Sequence, residues 1–307
     1  MTEIIKTQKL SKYFPGVQAV DDLSLNIREG EVYGFLGLNG AGKTTTIRML
    51  LGLIQPSSGA SFIVGKQIRP GKNDIWKDIG YLVEIPYSYP ELTVRENLEI
   101  IRRMRLIPDK KAVERIIDKL QLGEYADRRS KNLSHGNSQR LGLAKALIHN
   151  PRILILDEPT NGLDPAGIVE IRELLKDLSM IKGATIFISS HILGEISKLA
   201  TRIGIIHEGH LMQEINTDQL DRLCRKRLLI DTSDQNAAVS ILSQTGYAPK
   251  VNQEGTIELK DEIAINHPEE AARSLVNAGI DLTLLKVDEE DLESFFLRTI
   301  GITGGAK

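Results

Sequence analysis

An α/β fold with a mostly parallel sheet core, followed by a small α+β unit, is predicted for these 307 residues by three observations. Gly37-Leu38-Asn39-Gly40-Ala41-Gly42-Lys43-Thr44-Thr45 stands between a short apolar run, 31–36, and a helical pattern over 46–51. Ile153-Leu154-Ile155-Leu156 is an unbroken apolar run ending on Asp157-Glu158, as in a strand buried on both faces. Up to about residue 220, β-prone segments alternate with helical ones, which implies strands covered by helices. The composition then changes.

In chain order, Ile4, Ile5 and Leu10 precede a loop over 11–17, and 21–27 alternates polar and apolar as a half-buried strand does. Residues 31–36 form a strand bounded by Gly30 and Gly37. The helix after the glycine loop is stopped by Gly52 and Pro56. Short strands follow at 59–65 and 79–84, the second ending on Glu84 just before Pro86. From 86 to about 150 the chain turns helical and more basic. Thr93 with Glu96 is a capping box for a helix through 105. Pro108-Asp109 opens a helix with Val113, Ile116, Ile117 and Leu120 on one face. A third helix carries Leu141, Ala144 and Ile148, and Pro151 closes it. After strand 153–156 come a helix over about 165–182, a strand at 185–188, a helix beginning at His191, and strands near 203–207 and 211–215.

Beyond about 220, strands at 227–230, 248–251, 255–259 and 282–287 interleave with helices at 236–245, 268–278 and 289–299. The β-α-β-β-α-β-α order is that of a small ferredoxin-like unit. The expected division is therefore 1–220, with a helical subdomain at about 86–150, and 221–307.

With 41% hydrophobic and 26% charged residues the chain has the composition of an ordinary globular protein. A net charge of −2 gives no global pull toward nucleic acid, and none is expected as a partner. The basic clusters at 102–105 and 225–227 are expected to be solvated faces. Cys224 is the single cysteine, which excludes an intrachain disulfide or a cysteine-cluster metal site. No stretch approaches the roughly 18 apolar residues needed to span a bilayer, so a cytoplasmic location is expected. Any membrane span would come from another chain.

The chemistry begins at the glycine loop, which reads G-x-x-x-x-G-K-[ST]. Glycines let backbone N–H groups approach phosphate oxygens with no Cβ in the way, and the helix N-terminus adds partial positive charge. Lys43 can reach β- and γ-phosphates, and the Thr44 hydroxyl can ligate Mg²⁺. An ordinary glycine turn before a helix would explain the glycines but not Lys43-Thr44 in register. Asp157 and Glu158 stand at the carboxyl end of an apolar strand, where open α/β sheets place ligands. Asp157 can hold Mg²⁺, directly or through water, and Glu158 can deprotonate a water. A solvent-facing acidic pair is the alternative.

Leu133-Ser134-His135-Gly136-Asn137 with Gln139-Arg140, the segment Asp157-Glu158-Pro159-Thr160-Asn161-Gly162-Leu163-Asp164-Pro165, and Ser189-Ser190-His191 together resemble the ATP-binding-cassette (ABC) ATPases over about residues 10–215. The resemblance implies a phosphate-loop NTPase with a β subdomain and a helical subdomain, using ATP and Mg²⁺. Phe14, or alternatively Tyr13, would stack on adenine. Asn39, Gly40, Ala41, Gly42, Lys43, Thr44 and Thr45 would hold the phosphates. Ser134 and Gly136 would face the γ-phosphate bound by a second subunit, and Asp164 would contact that subunit. Glu158 would be the catalytic base and His191 would steady the γ-phosphate. The metal ligands would be Thr44, Asp157 and Glu84.

Three positions depart from the family pattern. Glu84 stands where glutamine is usual, and His135 and Asn137 interrupt the usual Leu-Ser-Gly-Gly-Gln. Glu84, with the segment 161–168, resembles the ATPase subunits of bacitracin- and lantibiotic-resistance exporters. The implied function is ATP hydrolysis that drives a separate transmembrane permease, with the 84–98 stretch as contact surface and a second copy completing the sites. Such a subunit would lie peripherally on the inner face of the membrane. The alternative is a soluble ABC-type ATPase acting on ribosomes, DNA or iron–sulfur assembly. A phosphate-loop kinase would leave 133–140 unexplained.

Overall fold

A computed structural model describes residues 2–71, 76–84, 86–252 and 255–302. The chain divides into two compact units, Met1–Asp218 and Gln219–Lys307. In the first unit, β1 (Glu3–Phe14), β2 (Val17–Leu23), β3 (Asn26–Arg28) and β4 (Val32–Leu36) precede α1 (Lys43–Leu50). β5 (Ser58–Ile63), β6 (Lys66–Gln67) and β7 (Ile79–Leu82) follow. The helical stretch holds α2 (Val94–Met104), α3 (Ala112–Lys119) and α4 (His135–Leu147). Then come β8 (Ile153–Asp157), α5 (Pro165–Met180), β9 (Thr185–Ser190), α6 (Leu193–Ile196), β10 (Arg202–His207) and β11 (His210–Asn216).

Six strands form the central sheet in the order β11-β10-β4-β9-β8-β7. Strands β10, β4, β9, β8 and β7 pair in parallel and only β11 is antiparallel. Every residue of β4, β8 and β9 is buried, as in parallel strands covered on both faces, and the buried polar side chains Asp157, Thr185, Ser189 and Ser190 lie at strand ends. A second, antiparallel sheet runs β2-β1-β5-β6 with β3 also on β1. The core between them packs Tyr33, Phe35 and Phe187 ring against ring, at 5.7 and 5.3 Å between centroids. This architecture is the expected α/β class.

The expected loop over 11–17 does not exist as such. β1 continues to Phe14 and turns over at Pro15-Gly16 into β2, held by pairs such as Tyr13 with Gln18. Long-range pairing on both edges of β1 overrides the local turn signal. The half-buried strand expected at 21–27 is two strands, β2 ending at Leu23 just past Asp22, whose φ is +47°, and β3 beginning at Asn26. The capping box at Thr93 forms: its hydroxyl accepts from Glu96 N, and Glu96 accepts from Thr93 N at 2.7 Å. The second expected helix on this stretch starts at Ala112 rather than at Pro108.

The basic cluster at 102–105 is not the solvated face expected. Arg102 is buried and pairs with Glu99 at 2.7 Å. Arg105 donates to the carbonyls of Trp76 and Ile79, anchoring the start of β7. His149 contacts the same Ile79 carbonyl, and burial beside Arg105 pushes its pKa down to about 4. Arg105 thus acts as an internal brace for the edge strand that leads to Glu84, while Arg102 pins the C-terminal end of α2 through Glu99 and the Ile107 carbonyl.

In the second unit, α7 (Leu220–Leu223) precedes β12 (Lys226–Thr232), α8 (Gln235–Gln244), β13 (Lys250–Val251), β14 (Ile257–Leu259), α9 (Glu262–Asn266), α10 (Pro268–Asn277), β15 (Leu282–Glu289) and α11 (Leu292–Thr299). Its sheet order is β13-β14-β12-β15, all antiparallel. With β12 first in the chain, that is the split β-α-β arrangement. Leu228 and Ile230 of β12 pack with Leu242, Leu259 and Leu275 as a separate core. The short α9 was not expected, and Gln253 and Glu254, expected within the strand pair, lie outside the described residues.

Candidate active site

The chemistry gathers where β4, β8 and β9 end. Gly42 precedes α1 with φ +106°, and a Cβ there would lie 2.4 Å from the Ala19 carbonyl, so only glycine fits. No side chain caps α1 and no acidic residue stands in its first turn. Its leading N–H groups, which have no partner within the helix, face an exposed Asn39-Gly40 turn. That geometry suits an anion.

Lys43 is 5% exposed, and its ammonium uses its donors on Gly37 O at 2.7 Å, Leu38 O at 3.2 Å and Glu158 Oε1 at 3.1 Å. The other Glu158 oxygen, Oε2, lies 2.8 Å from His191 Nδ1. Glu158 has φ +45°, a left-handed conformation rare outside glycine; such strain is typical of functional positions. It turns the side chain out of the strand and over the loop. The Thr44 hydroxyl donates to Asp157 Oδ2 at 2.7 Å. Lys43, Thr44, Asp157, Glu158 and His191, from three separate segments, therefore form one connected cluster. His191 lies before a single helical turn, not at the start of the longer helix expected.

Two members of the cluster are named in the family motifs without a role. Ser189 is fully buried, donates to Asp157 Oδ1 at 2.5 Å and accepts from Glu158 N at 2.9 Å. Strand register opposite Asp157 is what brings it there. Gln139 Nε2 donates to the Glu158 carbonyl at 3.1 Å, tying α4 to the strand end. The motifs around Gln139 and Ser189 point to the segments, but the contacts themselves depend on helix docking and strand register.

The remaining expected residues are placed as follows. Phe14 and Tyr13 are both exposed; the Lys12 ammonium sits 5.1 Å from the Phe14 centroid, and Tyr13 Oη donates to Asp21 at 3.1 Å. Ser134 caps α4 by accepting from Asn137 N at 3.2 Å, leaving its own O–H free to donate outward. Gly136 lies near the Gly162 carbonyl, and the His135 ring covers Gly162, where any Cβ would collide with it. Asp164 caps α5 through Gly167 N at 3.0 Å, a contact worth about 1 kcal/mol to the helix. Glu84 is also left-handed, with φ +54°, and its carboxylate is on Arg48 at 2.5 Å rather than on Thr44.

A magnesium ion fits this donor set. It usually takes one or two carboxylates, keeps several waters and completes its shell with substrate phosphates. Asp157 and Thr44 supply that minimum, already within hydrogen-bond distance of each other.

A second feature is a groove of about 350 Å³ between β7, α2 and α4, walled by Tyr81, Pro86, Tyr87, Tyr89 and Met104. Lys145 enters it and donates to Tyr87 O at 2.8 Å; burial pulls its pKa down to about 8.

A family model described as ABC transporter matches residues 20–161. A bacitracin transport ATP-binding protein of Bacillus licheniformis is 44% identical over 303 residues, covering 98% of each chain. A lantibiotic transport ATP-binding protein of Streptococcus pyogenes is 38% identical over 231 residues, 74% of this chain and 99% of its own. Among solved structures, an ATP-binding cassette in a dimeric post-hydrolysis state bound to ADP and Pi aligns with a TM-score of 0.66 and 27% identity, covering 70% of this chain and 99% of that one.

Proposed function

The chain belongs to the ABC transporter ATPases and hydrolyses ATP, and we propose that it does so as the motor subunit of an exporter, closing on a second copy of itself and driving a separate membrane permease. The observation that carries this reading is the connected cluster of Lys43, Thr44, Asp157, Glu158 and His191. The ATP phosphates would lie on the 39–45 loop, with Lys43 on the β- and γ-phosphates and adenine against Phe14. A phosphate oxygen at Lys43 would displace the Glu158 carboxylate, releasing it toward water. Glu158 then accepts a proton as the water oxygen adds to the γ-phosphorus and the bond to the ADP oxygen breaks. Its Nδ1 contact with Glu158 fixes the His191 ring, with Nε2 the remaining polar atom for the γ-phosphate. Mg²⁺ on Thr44 and Asp157 would neutralise charge on the phosphates.

Ser134 and Gly136 lie at the start of α4, and in the dimer they would close the partner's nucleotide. Their outward O–H and backbone N–H groups are what a γ-phosphate requires. The groove between β7, α2 and α4 would receive a cytoplasmic segment of the permease, since exposed tyrosines and Met104 around an apolar floor suit a docked helix. No helix among the described residues is long and apolar enough to cross a membrane, which is why the span is assigned to another chain. The protein would then sit peripherally on the inner face. The names of the relatives favour a peptide antibiotic as the exported compound.

Co-expression with a candidate membrane protein, such as one encoded by a neighbouring reading frame, tests this reading. The two are expected to co-purify from detergent, and vesicles holding both are expected to show ATPase activity that changes with the exported compound. Isolation of the chain on ribosomes or DNA instead would favour the soluble alternative.

The second unit is proposed to be an independent accessory domain. Its core of Leu228, Ile230, Leu242 and Leu275 is self-contained. A chain ending at Asp218 is expected to bind ATP with the affinity of the full-length protein; a folded truncation that lost ATP would refute the separation.

A further inference from the structure

Glu84 places a carboxylate near the phosphate loop, and the structure shows what holds it. β7 and β8 are in parallel register with Leu82 beside Leu156, so the residues after Leu82 run level with Asp157 and Glu158. Neighbouring strands are about 4.8 Å apart, which brings Glu84 to the same sheet end as the cluster. On α1, Thr44 and Arg48 are four residues apart and share one face, with Cβ atoms about 5–6 Å from each other. Thr44 is on Asp157 and Arg48 is on Glu84, at 2.7 and 2.5 Å. The left-handed backbone at Glu84 directs its carboxylate one helical turn beyond Thr44.

We propose that Arg48 is a positioning residue for Glu84: its guanidinium holds and neutralises that carboxylate one turn from Thr44, so that the negative charge does not bear on the triphosphate and its magnesium. This rests on the nucleotide-site reading above. Without Arg48, an unpaired carboxylate would repel metal-free triphosphate and attract the cation. Both side chains are partly exposed, at 37% and 51%, so the coupling is screened and moderate.

The test uses full-length Arg48→Ala, Arg48→Lys, Glu84→Gln and the double variant Arg48→Ala/Glu84→Gln. Fluorescent mant-ATP is titrated in EDTA and in Mg²⁺, alongside the Mg²⁺ concentration giving half-maximal hydrolysis. Arg48→Ala is expected to weaken metal-free mant-ATP binding about fivefold and to lower the half-maximal Mg²⁺ concentration. Arg48→Lys should retain near-wild-type values, and Glu84→Gln should erase the effect of removing Arg48. An equal effect of Arg48→Ala in the Glu84→Gln background, or an unchanged metal-free affinity, overturns the proposal. If Arg48→Ala does not fold, Arg48→Met keeps the aliphatic stem and takes its place in both backgrounds. Lys43→Ala in the same titration separates the two claims: mant-ATP bound undiminished there overturns the site reading itself, and the proposal with it.

Discussion

Replacing Glu158 by Gln is expected to lower kcat by about 10²–10⁴-fold, the usual contribution of a positioned general base, while ATP stays bound. The amide is isosteric and can still accept from His191, but it cannot take a proton from water. It also withdraws the negative charge from Lys43, which the wild-type chain holds at 3.1 Å. The ammonium is then freer for phosphate, so ATP affinity is expected to hold or rise. Phosphate release under saturating ATP, with mant-ATP titration in parallel, measures both. Turnover at the wild-type rate would remove Glu158 from the role of base.

Lys43→Ala has the second largest expected effect, on binding rather than chemistry. A charge-assisted hydrogen bond contributes about 1.5–3 kcal/mol, so ATP affinity should fall about 10- to 100-fold. The same substitution leaves Glu158 facing only His191 and frees the Gly37 and Leu38 carbonyls that the ammonium now satisfies. Thermal melting of the variant without nucleotide separates that loss of loop order from loss of the phosphate contact. Unchanged affinity in a folded variant would move the phosphates off this loop.

The core of the site was legible in the sequence because its chemistry is set by short spacings. Lys43-Thr44 after four loop residues and a glycine open a helix, and Asp157-Glu158 after four buried apolar residues stand at a strand end. His191 was legible only through family resemblance, since nothing local distinguishes it from a histidine opening a helix. The roles of Ser189 and Gln139 could not be read, because strand register and helix docking bring them to Asp157 and Glu158. The arginines at 102 and 105 looked like a solvated stripe, yet tertiary packing turns them inward onto Glu99, Trp76 and Ile79. Likewise its place at a strand end and the family resemblance named Glu84 but not Arg48, its partner across 36 residues. The division into strands failed mainly at β1, where pairing with β2 and β5 prolongs a strand whose own residues signal a loop.

Closure by a second copy is the central proposal, because Ser134 and Gly136, at the start of α4, would meet a nucleotide across a dimer. Sedimentation of Glu158→Gln with saturating ATP tests it directly. The account predicts a species of twice the 34.1 kDa chain that dissociates in ADP, and a Ser134→Arg/Glu158→Gln variant that binds mant-ATP but stays at single mass. A Glu158→Gln protein that remains monomeric with ATP bound, or a Ser134→Arg/Glu158→Gln protein that dimerises equally well, would contradict it.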